Sequence, residues 1–75
     1  DVEVRIGVRD VAREISFETN ESGDTIAEAV AEALRDGTLL DLSDDKGRRY
    51  FVPAAMIGFV HVGESEKGKV GFGAR

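Results

Sequence analysis

Cysteine and tryptophan are both missing from this 75-residue chain, and proline, histidine, methionine and tyrosine occur once each. Without cysteine there is no disulfide, no thiolate nucleophile and no sulfur ligand for zinc or an iron–sulfur cluster. That lack is in keeping with a reducing compartment. A single histidine, His61, leaves a metal site without a second imidazole, so no metal or other cofactor is expected. Ser16, Ser22, Ser43 and Ser65 all sit in polar or turn contexts, none of them on a nucleophile elbow. No apolar run approaches the roughly 18–20 residues a membrane helix needs, and no signal-peptide pattern opens the chain. The expectation is a cytoplasmic protein that does not engage a membrane.

The chain is also short. At this length a fold buries only about 60–65% of the surface its unfolded chain exposes, and a stability on the order of 5 kcal/mol follows. Residues 1–75 are read as one domain in which nearly every large apolar side chain is needed for the core. Little is left to line a cleft, so catalysis is not expected and no catalytic residue is nominated. Charge is unevenly spread. Residues 1–45 hold 13 acids and 4 bases, a balance of −9; residues 46–75 hold 2 acids and 6 bases, a balance of +4. The acidic majority repels nucleic acid at long range, whereas the basic third can attract an anion locally.

Within those limits the hydrophobic pattern is informative. VEVRIGV alternates strictly, with Val2, Val4, Ile6 and Val8 on one face, which predicts a half-buried strand. A turn at Arg9 and Asp10 leads to a second strand, REISFET, with Ile15 and Phe17 pointing inward, so the two make a hairpin with one wet face. Residues 20–37 carry the one helix. Its apolar stripe is Ile26, Ala29, Val30, Ala33 and Leu34, while Glu28, Glu32 and Asp36 face water. Thr25 with Glu28 reads as a capping box, Asp24 as a competing cap and Gly37 as the stop.

Beyond the helix, TLLDL predicts a third strand, SDDKG a turn and RRYFV a fourth strand ended by Pro53. PAAM reads as a single helical turn. IGFVHV, apolar on both faces, reads as a central strand covered on both sides. Residues 62–75, rich in glycine and lysine, are expected to finish with an edge strand over KVGFG. The order ββαβββ predicts an α+β domain in which a single helix packs on one mixed sheet.

Two stretches invite a ligand. GESEKGKV at 63–70 has the G-x-x-x-x-G-K spacing of a phosphate loop. Such a loop must open a helix and carry a Ser or Thr after its lysine. Here Val70 takes the hydroxyl's place, and the five residues that follow include Gly71 and Gly73, so a polar turn is the better reading. The second stretch is Arg48-Arg49-Tyr50. On a strand the two arginines point to opposite faces and cannot form one clamp. Arg48, Arg49, Tyr50 and Lys69 are the candidate anion- or nucleotide-binding residues, a basic group beside an aromatic being able to hold a phosphate or stack a base. The plainer alternative places one arginine beside the turn, paired with Asp44 or Asp45.

The order of elements resembles the β-grasp fold, and ESGDTIAEAVAEAL resembles the start of the helix in ubiquitin-like proteins. The chain closes on GFGAR rather than paired glycines, so a modifier role is not implied. DGTLLDLSDDKGRRYFVPAAMIGFVHVG, with the opening VEVRIGV and the GFG near the end, is similar to small actinobacterial proteins of unknown function. The resemblance covers nearly the whole chain and implies an intracellular protein. Some members carry an ATP-binding label, but no catalytic residues transfer. The expected function is a non-enzymatic protein-interaction module, self-associating as a homodimer through an exposed strand edge, with nucleotide or anion binding as the rival.

Overall fold

The computed structural model describes residues 1–64; KVGFG, Lys69 and all of GESEKGKV beyond Glu64 lie outside the described residues. The elements are β1 (Val2–Val8), β2 (Ile15–Thr19), α1 (Gly23–Asp36), β3 (Leu39–Ser43), β4 (Arg49–Pro53), a 3₁₀ turn η1 (Ala54–Met56) and β5 (Ile57–Glu64). The α+β class and the order ββαβββ are as the sequence predicts. The sheet is not. Every described strand pair is antiparallel, and the strands form two sheets, β2-β1-β5 and β3-β4, in place of a single mixed one.

The reason lies in η1. Its three residues turn a corner after Pro53, so that β5 leaves the β3–β4 hairpin and pairs with β1 instead. Arg9 donates its amide to the Met56 carbonyl and fixes that corner against the end of β1. Pro53 is tolerated as the last residue of β4, where a lost amide donor matters little.

Period-two alternation builds the core. Val4 and Ile6 of β1 are completely buried, joined by Phe17 of β2, Leu40 and Leu42 of β3, and Val52 of β4. Helix α1 closes this core with Ile26 and Ala33, and Glu28, Glu32 and Asp36 face solvent. Leu34 does not join the buried stripe: it is 52% exposed, on the flank of the helix. The helix cap also differs from expectation. Ser22 is the N-cap, its hydroxyl accepting from the Thr25 amide at 3.1 Å, so neither Thr25 nor Asp24 plays that part. At the other end Gly37 is left-handed (φ 68°), and the Thr38 amide reaches back to the Ala33 carbonyl, which is the predicted stop.

The largest departure concerns IGFVHV. Among the described residues β1, not β5, is the central strand of its sheet; β5 lies at the edge, with Phe59 and His61 exposed. Phe59 is apolar for a local reason. Gly7 is its cross-strand partner, and the Phe59 ring lies where a Cβ on Gly7 would be. The ring therefore covers the outer face of β1 from within the same sheet. The register shifts between Gly7 and Val8, leaving Gly58 as the extra residue of a bulge.

Candidate functional site

Two of the sequence candidates, Arg48 and Tyr50, fall around one carboxylate, that of Asp44. After β3, the chain turns through Asp45, Lys46 and Gly47, the last at φ 84°, where a side chain would be strained. The Asp44 amide donates to the Arg48 carbonyl at 2.8 Å, closing a three-residue hairpin loop. The Asp44 side chain, 1% exposed, folds back into this loop. Its Oδ1 accepts from the amides of Lys46 (2.9 Å) and Arg48 (2.8 Å), while Oδ2 accepts from Arg48 Nε (2.8 Å) and the Tyr50 hydroxyl (3.0 Å).

These partners fix the charge. Burial alone would raise the Asp44 pKa, but the bonds from Arg48, Lys46 and Tyr50 outweigh it, lowering it from 3.8 to about 2. Arg48 is raised in turn, first by its hydrogen bond to Asp44. Tyr50 is raised by burial and then by the bond it donates to the same carboxylate. Beyond its hydroxyl, the Tyr50 ring stacks on Phe17 with centroids 4.3 Å apart and planes 6° from parallel. The Asp45 amide also donates to the Glu18 carbonyl at 2.8 Å. Together these contacts tie the β3–β4 hairpin to β2 of the other sheet.

Arg48 and Tyr50 are thus brought together, on Asp44. Arg48 sits at the end of the turn and β4 begins with Arg49, so the arginine beside the turn is the one that takes Asp44. Arg49 lies on the outer face of the hairpin, paired with Asp41, with its guanidinium 5.3 Å from the Phe51 ring centre. Both arginines therefore hold carboxylates. Lys69 is outside the described residues. His61 is exposed on the outer face of β5, opposite Arg5.

An open cleft of about 270 Å³ runs between β2 and the hairpin, lined by Ser16, Glu18, Asp45, Lys46 and Arg48 among others. At its rim the carboxylates of Asp1, Glu18 and Asp45 place oxygens within 4.8 Å of one another. No sequence spacing announces this trio, because its members come from three distant parts of the chain. Exposed acids commonly gather in this way without an ion, so the trio by itself marks no cation site. Among the described residues, no helix is long and apolar enough to cross a membrane.

A family profile described as a protein of unknown function, DUF3107, matches residues 2–73, nearly the whole chain. The chain belongs to the DUF3107 family. No curated protein matches it. Every described element of this DUF3107 chain, from Val2 to Glu64, falls within the match. The family thus spans the Asp44 node and the β5 edge alike, and its description names no activity.

Proposed function

We propose that the chain is a non-enzymatic protein-interaction module, which takes an extended segment of a partner along the side of β5 facing away from β1. One observation carries the reading. Among the described residues β5 is the longest strand and lies at the edge of its sheet, and from Ile57 to Gly63 it contains no Asp, Glu, Lys, Arg or Pro. Edge strands are ordinarily guarded by such residues, because an unpaired row of amides and carbonyls accepts another strand. An unguarded edge fits strand addition, in which main-chain bonds supply affinity and alternate side chains supply selectivity. The cleft between β2 and the hairpin is open, and its buried carboxylate, Asp44, already accepts four hydrogen bonds. A cytoplasmic setting and an actinobacterial source go with this reading through the sequence resemblance alone.

The rival is binding of ATP or another anion through Arg48, Arg49 and Lys69. Arg48 would have to abandon Asp44, and Arg49 to abandon Asp41, before either could meet a phosphate. Calorimetric titration with ATP and magnesium is expected to give no heat.

The direct test uses a synthetic peptide with the sequence of residues 57–63, lysines being added at both ends for solubility. Titrated into ¹⁵N-labelled protein, it is expected to shift the amide resonances of β5 and the neighbouring flank of α1. Resonances that stay put, or shifts confined to the Asp44 cleft, would contradict the proposal.

A further inference from the structure

We infer that the chain has a second docking site, the groove between α1 and β3, which takes an extended, basic segment of a partner protein as a third strand of the β3–β4 sheet. The site stands on observations independent of β5. The first is the hydrogen-bond phase of the hairpin. At one end the Asp44 amide bonds to the Arg48 carbonyl, and at the other the Ala54 amide bonds to the Thr38 carbonyl. In an antiparallel pair the bonded residues recur at every second position, so Leu40 and Leu42 also turn their amides and carbonyls towards β4. Those of Leu39, Asp41 and Ser43 point the other way. Among the described residues, no strand pairs with β3 on that side, and no bond from a turn, loop or cap reaches these six groups.

The groove itself is the second observation. Two recesses, of about 230 and 190 Å³, follow one another between α1 and β3, and Ala29 and Asp41 line both. No residue of β4 lines either, so the groove runs along the edge that β4 leaves open. Its helix wall is low, because Ala29 and Ala33 are small, and Ile26, Leu40 and Leu42 give it an apolar floor. The five residues of β3 offer about 17 Å of edge at ~3.3 Å per residue, enough for an extended segment of similar length.

Charge decides the occupant. Glu21, Glu32, Asp36 and Asp41 line the recesses, and no lysine or arginine does. Asp36 pairs with Arg35 and Asp41 with Arg49, whereas Glu21 and Glu32 form no ion pair among the described residues. These two acids stand apart along the groove, Glu21 in the recess that Ser43 lines and Glu32 in the one that Leu39 lines. A second copy of this chain, at a net charge of −5, is repelled, and a segment carrying Lys or Arg is attracted. Side chains of an added strand alternate between its faces. Those on the inner face, beside Leu40 and Leu42, are small and apolar and lie over Ala29 and Ala33. Those on the outer face, beside Asp41, bring positive charge to the acidic rims. Main-chain bonds supply affinity and the alternation supplies selectivity.

The peptide KVKVKVK, titrated into the whole ¹⁵N-labelled chain, tests this. It is expected to shift the resonances of β3 and of Ala29 and Ala33. Amide exchange should slow at Leu39, Asp41 and Ser43 and stay unchanged at Leu40 and Leu42. The control KKVVVKK has the same composition and charge without the alternation, and it is expected to bind at least about tenfold more weakly, as is EVEVEVE. Reversing both free acids, Glu21→Lys with Glu32→Lys, is expected to raise the Kd for KVKVKVK about tenfold. Both positions are exposed, so helical circular dichroism should be unchanged. Should the double variant unfold, a fall in wild-type affinity with rising salt reads the same charge. Equal binding of KVKVKVK and KKVVVKK would overturn the added strand. Shifts confined to β5 would overturn the groove and leave the β5 edge standing, and no response at millimolar peptide would overturn the groove outright.

Discussion

Replacing Gly7 by alanine should destabilise the protein, although alanine is ordinarily the better strand residue. The added methyl group would fall within the Phe59 ring, which must swing away from β1. Phe59 is 49% exposed, so about half of its surface is covered. For a phenylalanine that is on the order of 100 Å², worth about 2.5 kcal/mol at ~25 cal/mol/Å² if the ring were wholly expelled. Against this stands a gain of about 0.5–1 kcal/mol from removing glycine's backbone entropy. The net expectation is a loss of about 1–2 kcal/mol, measured by urea unfolding at unchanged m-value. In a domain of this size each kcal/mol lowers Tm by roughly 4–8 °C. The decisive comparison is the same substitution in a Phe59→Ala background. With the ring absent, Gly7→Ala should become neutral or stabilise by about 0.5 kcal/mol, so the cycle yields a coupling of about 2 kcal/mol. If Gly7→Ala is harmless in the wild type, or costs the same in both backgrounds, Phe59 does not serve as the cover of the outer face.

Two further predictions concern the hairpin and the helix. Asp44 has its folded pKa lowered to about 2 from 3.8, so its contribution is complete above 3.8 and vanishes as pH falls through about 2. Asp44→Asn should therefore be less stable than the wild type at neutral pH, and the gap should narrow across that acidic window in pH-dependent urea titrations. A gap that stays constant would mean that the carboxylate's ionisation does not hold the turn. Ser22→Ala should cost about 1 kcal/mol through loss of the cap, whereas Asp24→Ala should stay within about 0.5 kcal/mol. The reverse ranking by thermal unfolding would return the cap to Asp24.

What was legible in the chain depends on how local its cause is. Val2, Val4, Ile6 and Val8 announce a strand because alternation is a property of neighbouring residues, and Gly37 announces a stop in the same way. The Asp44–Arg48 pair was legible as the plainer alternative because both residues belong to one turn. Phe59 misled for a physical reason. An apolar residue on the outer face of a strand signals a second covering layer unless a glycine opposite it leaves room for the ring, and Gly7 lies 52 residues earlier in the chain. The Tyr50–Phe17 stack and the Asp1–Glu18–Asp45 trio were hidden likewise, since each depends on how separate sheets or chain segments meet. Leu34 belongs to the helical stripe by periodicity, yet it ends on the flank because Ile26, Ala29 and Ala33 already fill the seat against β3 and the core. Antiparallel pairing of β5 with β1 follows from the three-residue corner at η1, whose direction the sequence does not reveal.

Amide hydrogen exchange along β5 tests most directly whether the edge is where partners bind. Measured at a dilution where the protein is monomeric, peptide-saturated protein is expected to show slower exchange for alternate amides between Ile57 and Gly63, while exchange in the Asp44 turn is unchanged. Identical β5 rates with and without the peptide would contradict the account.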